Sequence, residues 1–139
     1  MKRCLWLLVA VALLPCIAQA EENPYTVAYY YRVKWGFQQE YERLFMKNHY
    51  PVLAADMKQG LIRNVHLFRP TFHGDGRADW TFLVVISYAS WQALGVQRDE
   101  AVVKRLYPDQ ATFEKEERRR FEILDAHWDI PLTPVKPPE

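Results

Sequence analysis

Apolar and aromatic residues alternate with polar ones from Tyr25 to Lys34, the two-residue period of a strand. Val27, Tyr29, Tyr31 and Val33 fall on one side, predicted to be covered; Ala28, Tyr30, Arg32 and Lys34 fall on the other. Past Gly36 the period changes. Phe37, Tyr41, Leu44, Phe45, Val52, Leu53 and Met57 draw a single stripe at helical spacing. Pro51 removes a backbone donor inside that stripe, which predicts a kink or a helix restart, and Gly60 supplies the stop.

Alternation returns over Leu61 to Arg69, with Ile62, Asn64, His66 and Phe68 on one face and Arg63, Val65, Leu67 and Arg69 on the other. Residues 71–79, with Gly74-Asp75-Gly76, read as a loop. Trp80 to Tyr88 is apolar at nearly every position, which suits a central strand buried on both faces. Ser90 is a predicted N-cap, with Trp91, Leu94, Val102, Val103 and Leu106 packing inward and a bend across Arg98–Glu100. A charged helix is predicted from Gln110 to Leu124, with a thin stripe of Phe113, Phe121 and Leu124 and supporting pairs Glu114–Arg118 and Glu116–Arg120. Ala126 to Leu132 reads as a last short strand, and residues 133–139, with three prolines, as an extended tail.

The ends of the chain change the domain count. Met1-Lys2-Arg3, the apolar run Leu5–Leu14 and Ala18-Gln19-Ala20 have the grammar of a secretory signal peptide cut after Ala20. The apolar run is too short for a transmembrane anchor. A lipoprotein reading at Cys16 is weakened by Pro15, where a small residue is expected. The expectation is a leader over 1–20, one domain over 21–132 and a tail over 133–139, in the periplasm or outside the cell. Cys4 and Cys16 leave with the leader, so disulfides and thiolate chemistry drop out. Losing Lys2 and Arg3 takes the formal charge from +1 to −1, and Arg118-Arg119-Arg120 follows Glu114, Glu116 and Glu117 within the same helix. Nucleic acid is therefore not an expected partner.

The order β-α-β-β-α-(α)-β is that of a ferredoxin-like α+β fold, with four antiparallel strands (26–34, 61–69, 80–88 and 126–131), helices on one face, and the first and third strands central. The tyrosine-rich first strand, the helix segment Asn48-His49-Tyr50-Pro51-Val52-Leu53, the strand after Gly60 and the closing His127-Trp128-Asp129 resemble small dimeric α+β-barrel proteins over about residues 25–132. The long charged stretch near 98–120 departs from that pattern. The resemblance implies face-to-face pairing of two sheets into a homodimer and, in some members, an interior that binds ligand or haem.

Candidate chemistry is sparse. Of the histidines, none forms an H-x-x-x-H or H-x-H pair, and no metal site or cofactor is expected. His127 and Asp129, two apart on a strand, are the nearest approach to a ligand pair; His49 is considered as a haem ligand and read instead as a cap or interhelix contact. Gly74-x-Gly76 lacks the helix N-terminus that a phosphate loop needs. Tyr30 and Arg32 on the first strand, with Asn64 and His66 on the second, are the candidate ligand-binding residues on the sheet face away from the helices. The reading that follows is a small-ligand-binding or interaction module; the alternative is a cofactor-independent or haem-linked monooxygenase-like enzyme of the same fold.

Overall fold

The computed structural model describes residues 24–72, 79–135 and 137–138. The predicted leader, His73 and the Gly74-Asp75-Gly76 loop lie outside the described residues. No described helix is long and apolar enough to cross a membrane.

Four strands, β1 (Tyr25–Val33), β2 (Ile62–Phe68), β3 (Phe82–Tyr88) and β4 (Leu124–Leu132), form one antiparallel sheet in the order β2-β3-β1-β4. The first and third strands are central, as their apolar content requires. Between β1 and β2 run α1 (Gln38–Leu44), a π-helical turn (Phe45–His49) and α2 (Tyr50–Lys58); between β3 and β4 run α3 (Trp91–Leu94), α4 (Glu100–Leu106) and α5 (Gln110–Glu122). This is the ferredoxin-like α+β architecture. Gly36 (φ 86°) and Gly60 (φ 76°) take the left-handed turns that start and end the first helical run.

The helices cover one sheet face. Tyr31, Val33, Phe82, Val84, Ile86 and Ile62 pack there against Tyr41, Leu44, Phe45 and Leu53 from the helical run. Tyr41 and Phe45 are fully buried. The opposite face carries no helix, and Phe68, Leu83, Tyr30 and Trp128 form one apolar row on it across all four strands. Tyr30 stacks on Trp128 at 5.4 Å between centroids and meets Trp80 edge-on.

Several expectations change. Ile62 lies in the core and not beside Asn64, because a bulge between Ile62 and Asn64 reverses the side-chain phase at the start of β2. The same bulge carries Arg63, and Arg69 lies past the strand end, so both reach solvent. Trp91 and Phe121 are exposed rather than inward, and Leu106 is also exposed. The last helix stops at Glu122 because Ile123 turns into the core, and β4 begins at Leu124, two residues early. A second bulge, between Arg32 and Val33, leaves Asp125 as an extra residue on β4, where it accepts from Arg32 Nε at 2.6 Å.

Helix α5 docks through charge instead of an apolar stripe. Arg120 is buried over the rings of Tyr41, Phe45 and Phe121 and donates to Glu117 at 3.0 and 2.7 Å. Glu116, the predicted partner of Arg120, instead accepts from Lys47 Nζ and the buried Asn48 amide. Arg119 donates to Glu40 of α1. These bonds to residues of the first helical run fix how α5 lies, which amphipathicity alone does not predict.

Candidate functional site: a polar cleft between helix and sheet

The π turn follows from Pro51. Without an N–H, Pro51 cannot close the helical bond to Lys47, and the backbone widens so that Tyr50 N–H bonds Phe45 C=O five residues back. Tyr107, from the α4–α5 connection, donates its hydroxyl to Asn48 O at 2.7 Å, with Lys47 O at 3.2 Å. The loosened carbonyls are thereby satisfied. The turn ends in His49, whose ring packs on Phe45 at 5.0 Å.

His49 sits among charged groups with no hydrogen bond from any described residue. Among the described residues, no side-chain nitrogen or oxygen is both buried and unpartnered, so its ring nitrogens reach solvent-connected space. Burial, then the positive charges of Arg120 and Arg98, push its pKa down to about 3; Asp56 offsets this in part. His49 is a neutral imidazole at physiological pH.

Tyr29, Tyr31 and Tyr88, with His127 and Asp129, lie on the helix-covered side of the sheet, and Tyr31 meets Phe45 at 6.3 Å. Tyr29 and Tyr88 share a hydroxyl–hydroxyl bond of 2.8 Å, and burial is the main force raising both their pKa values. Tyr31 stacks on His127 at 4.3 Å and is pushed up to about 12, again chiefly by burial. His127 Nε2 lies 3.0 Å from Asp129 Oδ1, and both side chains are part-exposed on edge strand β4. Among the described residues, no group of three or more His, Cys, Asp or Glu could hold a metal ion.

Beyond Tyr88 the polar seam continues into a pocket of about 140 Å³ lined by Asp56, Ile62, Tyr88, Leu94, Arg98 and Asp99 among others. Asp56 is buried on α2 and accepts from Arg98 Nη2 at 2.7 Å and Nε at 3.1 Å. That pair ties the stretch between α3 and α4 to the body of the domain. The pair lies within electrostatic reach of both His49 and Tyr88.

The four candidate residues on the other face separate into three places. Asn64 Nδ2 and His66 Nε2 are 2.9 Å apart on edge strand β2, pointing away from the helices as alternation predicts. Tyr30 belongs to the aromatic row with Trp128, and Arg32 is tied to Asp125. Asn64 pairs with Ser87, which pairs with Thr26, so Arg32 lies six residues further along β1, about 20 Å away along the strand. They share a face and do not converge.

The cleft residues were hidden for a plain reason. Tyr29, Tyr31 and Tyr88 occupy positions that periodicity assigns to the core, and their hydroxyls meet only through the β1–β3 register. The signal that was available is Pro51 inside a helical stripe just after His49.

No family model matches the chain, and no curated protein matches it. Solved structures do. A protein of the NIPSNAP family from Agrobacterium tumefaciens is similar at 18% identity over 82% of this chain and 88% of its own, with a TM-score of 0.52. A hypothetical protein from Arabidopsis thaliana reaches 0.55 at 12% identity over 86% and 95%. A dimeric ferredoxin-like protein from Thermobifida fusca reaches 0.51 at 11% identity over 81% and 92%. At these identities the likeness is one of fold, and it is the fold of the ferredoxin-like, dimeric α+β-barrel proteins.

Proposed function

We propose that the protein is an exported, homodimeric small-molecule-binding module, with its ligand in the cleft under the helices and its partner on the open sheet face. The observation that carries this reading is His49, held neutral by burial and without a hydrogen-bond partner among the described residues, on the helical turn whose Phe45 packs against Tyr31 of the sheet. Buried polar groups are ordinarily satisfied within the protein, and a site that leaves one available suits a ligand. The open face supports the second half. Phe68, Ile130 and Leu132 are each more than two-fifths exposed there, and one of the similar folds is a dimer. Covering such a patch favours association. The leader supports export.

A thermal-shift screen of small neutral organic compounds on protein lacking residues 1–20 tests the reading. Compounds that raise the melting temperature in wild type and lose that effect in Tyr88→Phe or His49→Phe support it. Stabilisation that survives both substitutions contradicts it. The same imidazole suits a proton acceptor in an oxygenase of this fold. Oxygen uptake with a quinol or haem substrate, abolished in His49→Phe, favours that second reading.

A further inference from the structure

The pocket of about 140 Å³ draws its lining from the end of α2, the ends of β2 and β3, and the link between α3 and α4. Leu61, Leu94 and Val96 supply apolar wall, and Asp56, Arg98 and Asp99 supply charge. Asp56 occupies one edge of the Arg98 guanidinium, accepting from Nε at 3.1 Å and from Nη2 at 2.7 Å. Both N–H groups of Nη1 and the second of Nη2 have no partner among the described residues. Among those residues no side-chain nitrogen is both buried and unpartnered, so that edge is reached from solvent. Asp99 caps α4 through Oδ1, which accepts from Ala101 N–H at 2.8 Å, and its Oδ2 accepts nothing from a described residue. One pocket thus offers a free cationic edge and a free carboxylate oxygen.

Size and charge together name the ligand class. A dry cavity of about 150 Å³ holds benzene, so this pocket takes about six heavy atoms. A carboxylate suits the free guanidinium edge, in the fork geometry that arginine offers to anions, but Asp99 repels it. An ammonium suits Asp99 and is repelled by Arg98. A molecule that carries both groups satisfies both. We propose that the pocket binds a small zwitterion of the α-amino acid type, its carboxylate on the free edge of Arg98, its ammonium on Asp99 and its short side chain against Leu61, Leu94 and Val96. This goes beyond the small-molecule reading above: of the residues invoked there, the pocket contains only Tyr88, so the two sites stand or fall separately.

Alanine, propionate and ethylammonium share a short carbon chain and carry, in turn, both groups, the carboxylate alone and the ammonium alone. Nuclear magnetic resonance titration of the labelled protein at neutral pH compares them. The expected result is saturable binding of alanine that moves the Arg98 Nε–H signal, with propionate and ethylammonium each at least about tenfold weaker. Asp99→Asn keeps the cap of α4, because asparagine caps as well as aspartate, and should weaken alanine about tenfold without weakening propionate. His49→Phe should leave alanine binding as it is. Equal binding of the probes, an Arg98 signal that stays still, or alanine affinity unchanged in Asp99→Asn overturns the proposal and leaves the His49 reading standing. Alanine binding lost in His49→Phe overturns it as well and places that ligand with His49. Should Asp99→Asn not fold, the ranking of the probes on the wild type decides alone.

Discussion

Leu67, Val84, Tyr29 and Asp129 make one row across the sheet under the helices, and one residue along each strand Phe68, Leu83, Tyr30 and Trp128 make the next row on the open side. The covered row joins core packing on β2 and β3 to polar groups on β1 and β4, and its tyrosine is bonded to Tyr88. The open row is aromatic and aliphatic throughout, with Phe68 exposed at its edge. Strand alternation makes such opposite surfaces from neighbouring residues. Polar residues here do not mark the solvent side: buried tyrosines and ion pairs gather beneath the helices, while the open face carries the apolar row as well as Arg32, Asn64 and His66. A covered side that gathers tyrosine hydroxyls and ion pairs suits a ligand; an apolar row left open suits a partner.

The largest effects should come from the covered side. Phe45→Ala should cost about 3–5 kcal/mol by leaving a cavity among Tyr31, Tyr41 and Phe82. Glu117→Ala should cost a similar amount, about 3–5 kcal/mol, because it leaves Arg120 buried without its carboxylate. Urea unfolding measures both. Arg120→Met, which removes the charge as well, should be milder than Glu117→Ala, and the reverse order would show that the pair is not what holds α5.

On the open side the same measurement should barely respond. Phe68→Asp should change monomer stability by less than about 0.5 kcal/mol and weaken self-association about a hundredfold by placing a charge in the apolar row. Sedimentation equilibrium reads the second effect. Unchanged association would locate the partner elsewhere, and a large loss of stability would mean that this face is already covered within one chain.

Acidification separates the faces differently. The His49 pKa is about 3 in the folded chain against about 6.5 when unfolded, so below pH 6.5 the unfolded chain takes up a proton that the folded chain refuses. Stability therefore falls with pH through that window, by about 2 kcal/mol at pH 5. In His49→Phe this loss should vanish. On the covered side the smallest expected effect is that of Tyr29→Phe, about 1 kcal/mol for the lost hydroxyl bond with Tyr88.

Which face each residue of β1 takes was legible in the chain itself, because nine residues from Tyr25 to Val33 keep one phase. So were the helix breaks at Gly36, Pro51 and Gly60, where backbone chemistry acts locally. Ile62 was misplaced because a bulge at Arg63 shifts the phase by one, and nothing in Leu61–Asn64 announces it. Phe121 was assigned inward because a helix was expected to bury its aromatics. The buried group is Arg120, made tolerable by Glu117 and Phe121 on its own helix and by the rings of Tyr41 and Phe45, which only the tertiary fold brings to it. The cleft was illegible for the same reason. Its groups come from β1, the π turn, α2, β3 and β4, and no spacing along the chain links Tyr29 to Tyr88 or His49 to His127.

Mapping a bound small molecule onto the two faces decides between them. With a stabilising compound from the thermal-shift screen added to the labelled domain, amide and side-chain shifts should move at Tyr29, His49, Tyr88 and Asp129 and stay still at Tyr30, Asn64 and His66. Shifts confined to Tyr30, Asn64 and His66, with the cleft silent, would put the ligand on the open face and contradict the account.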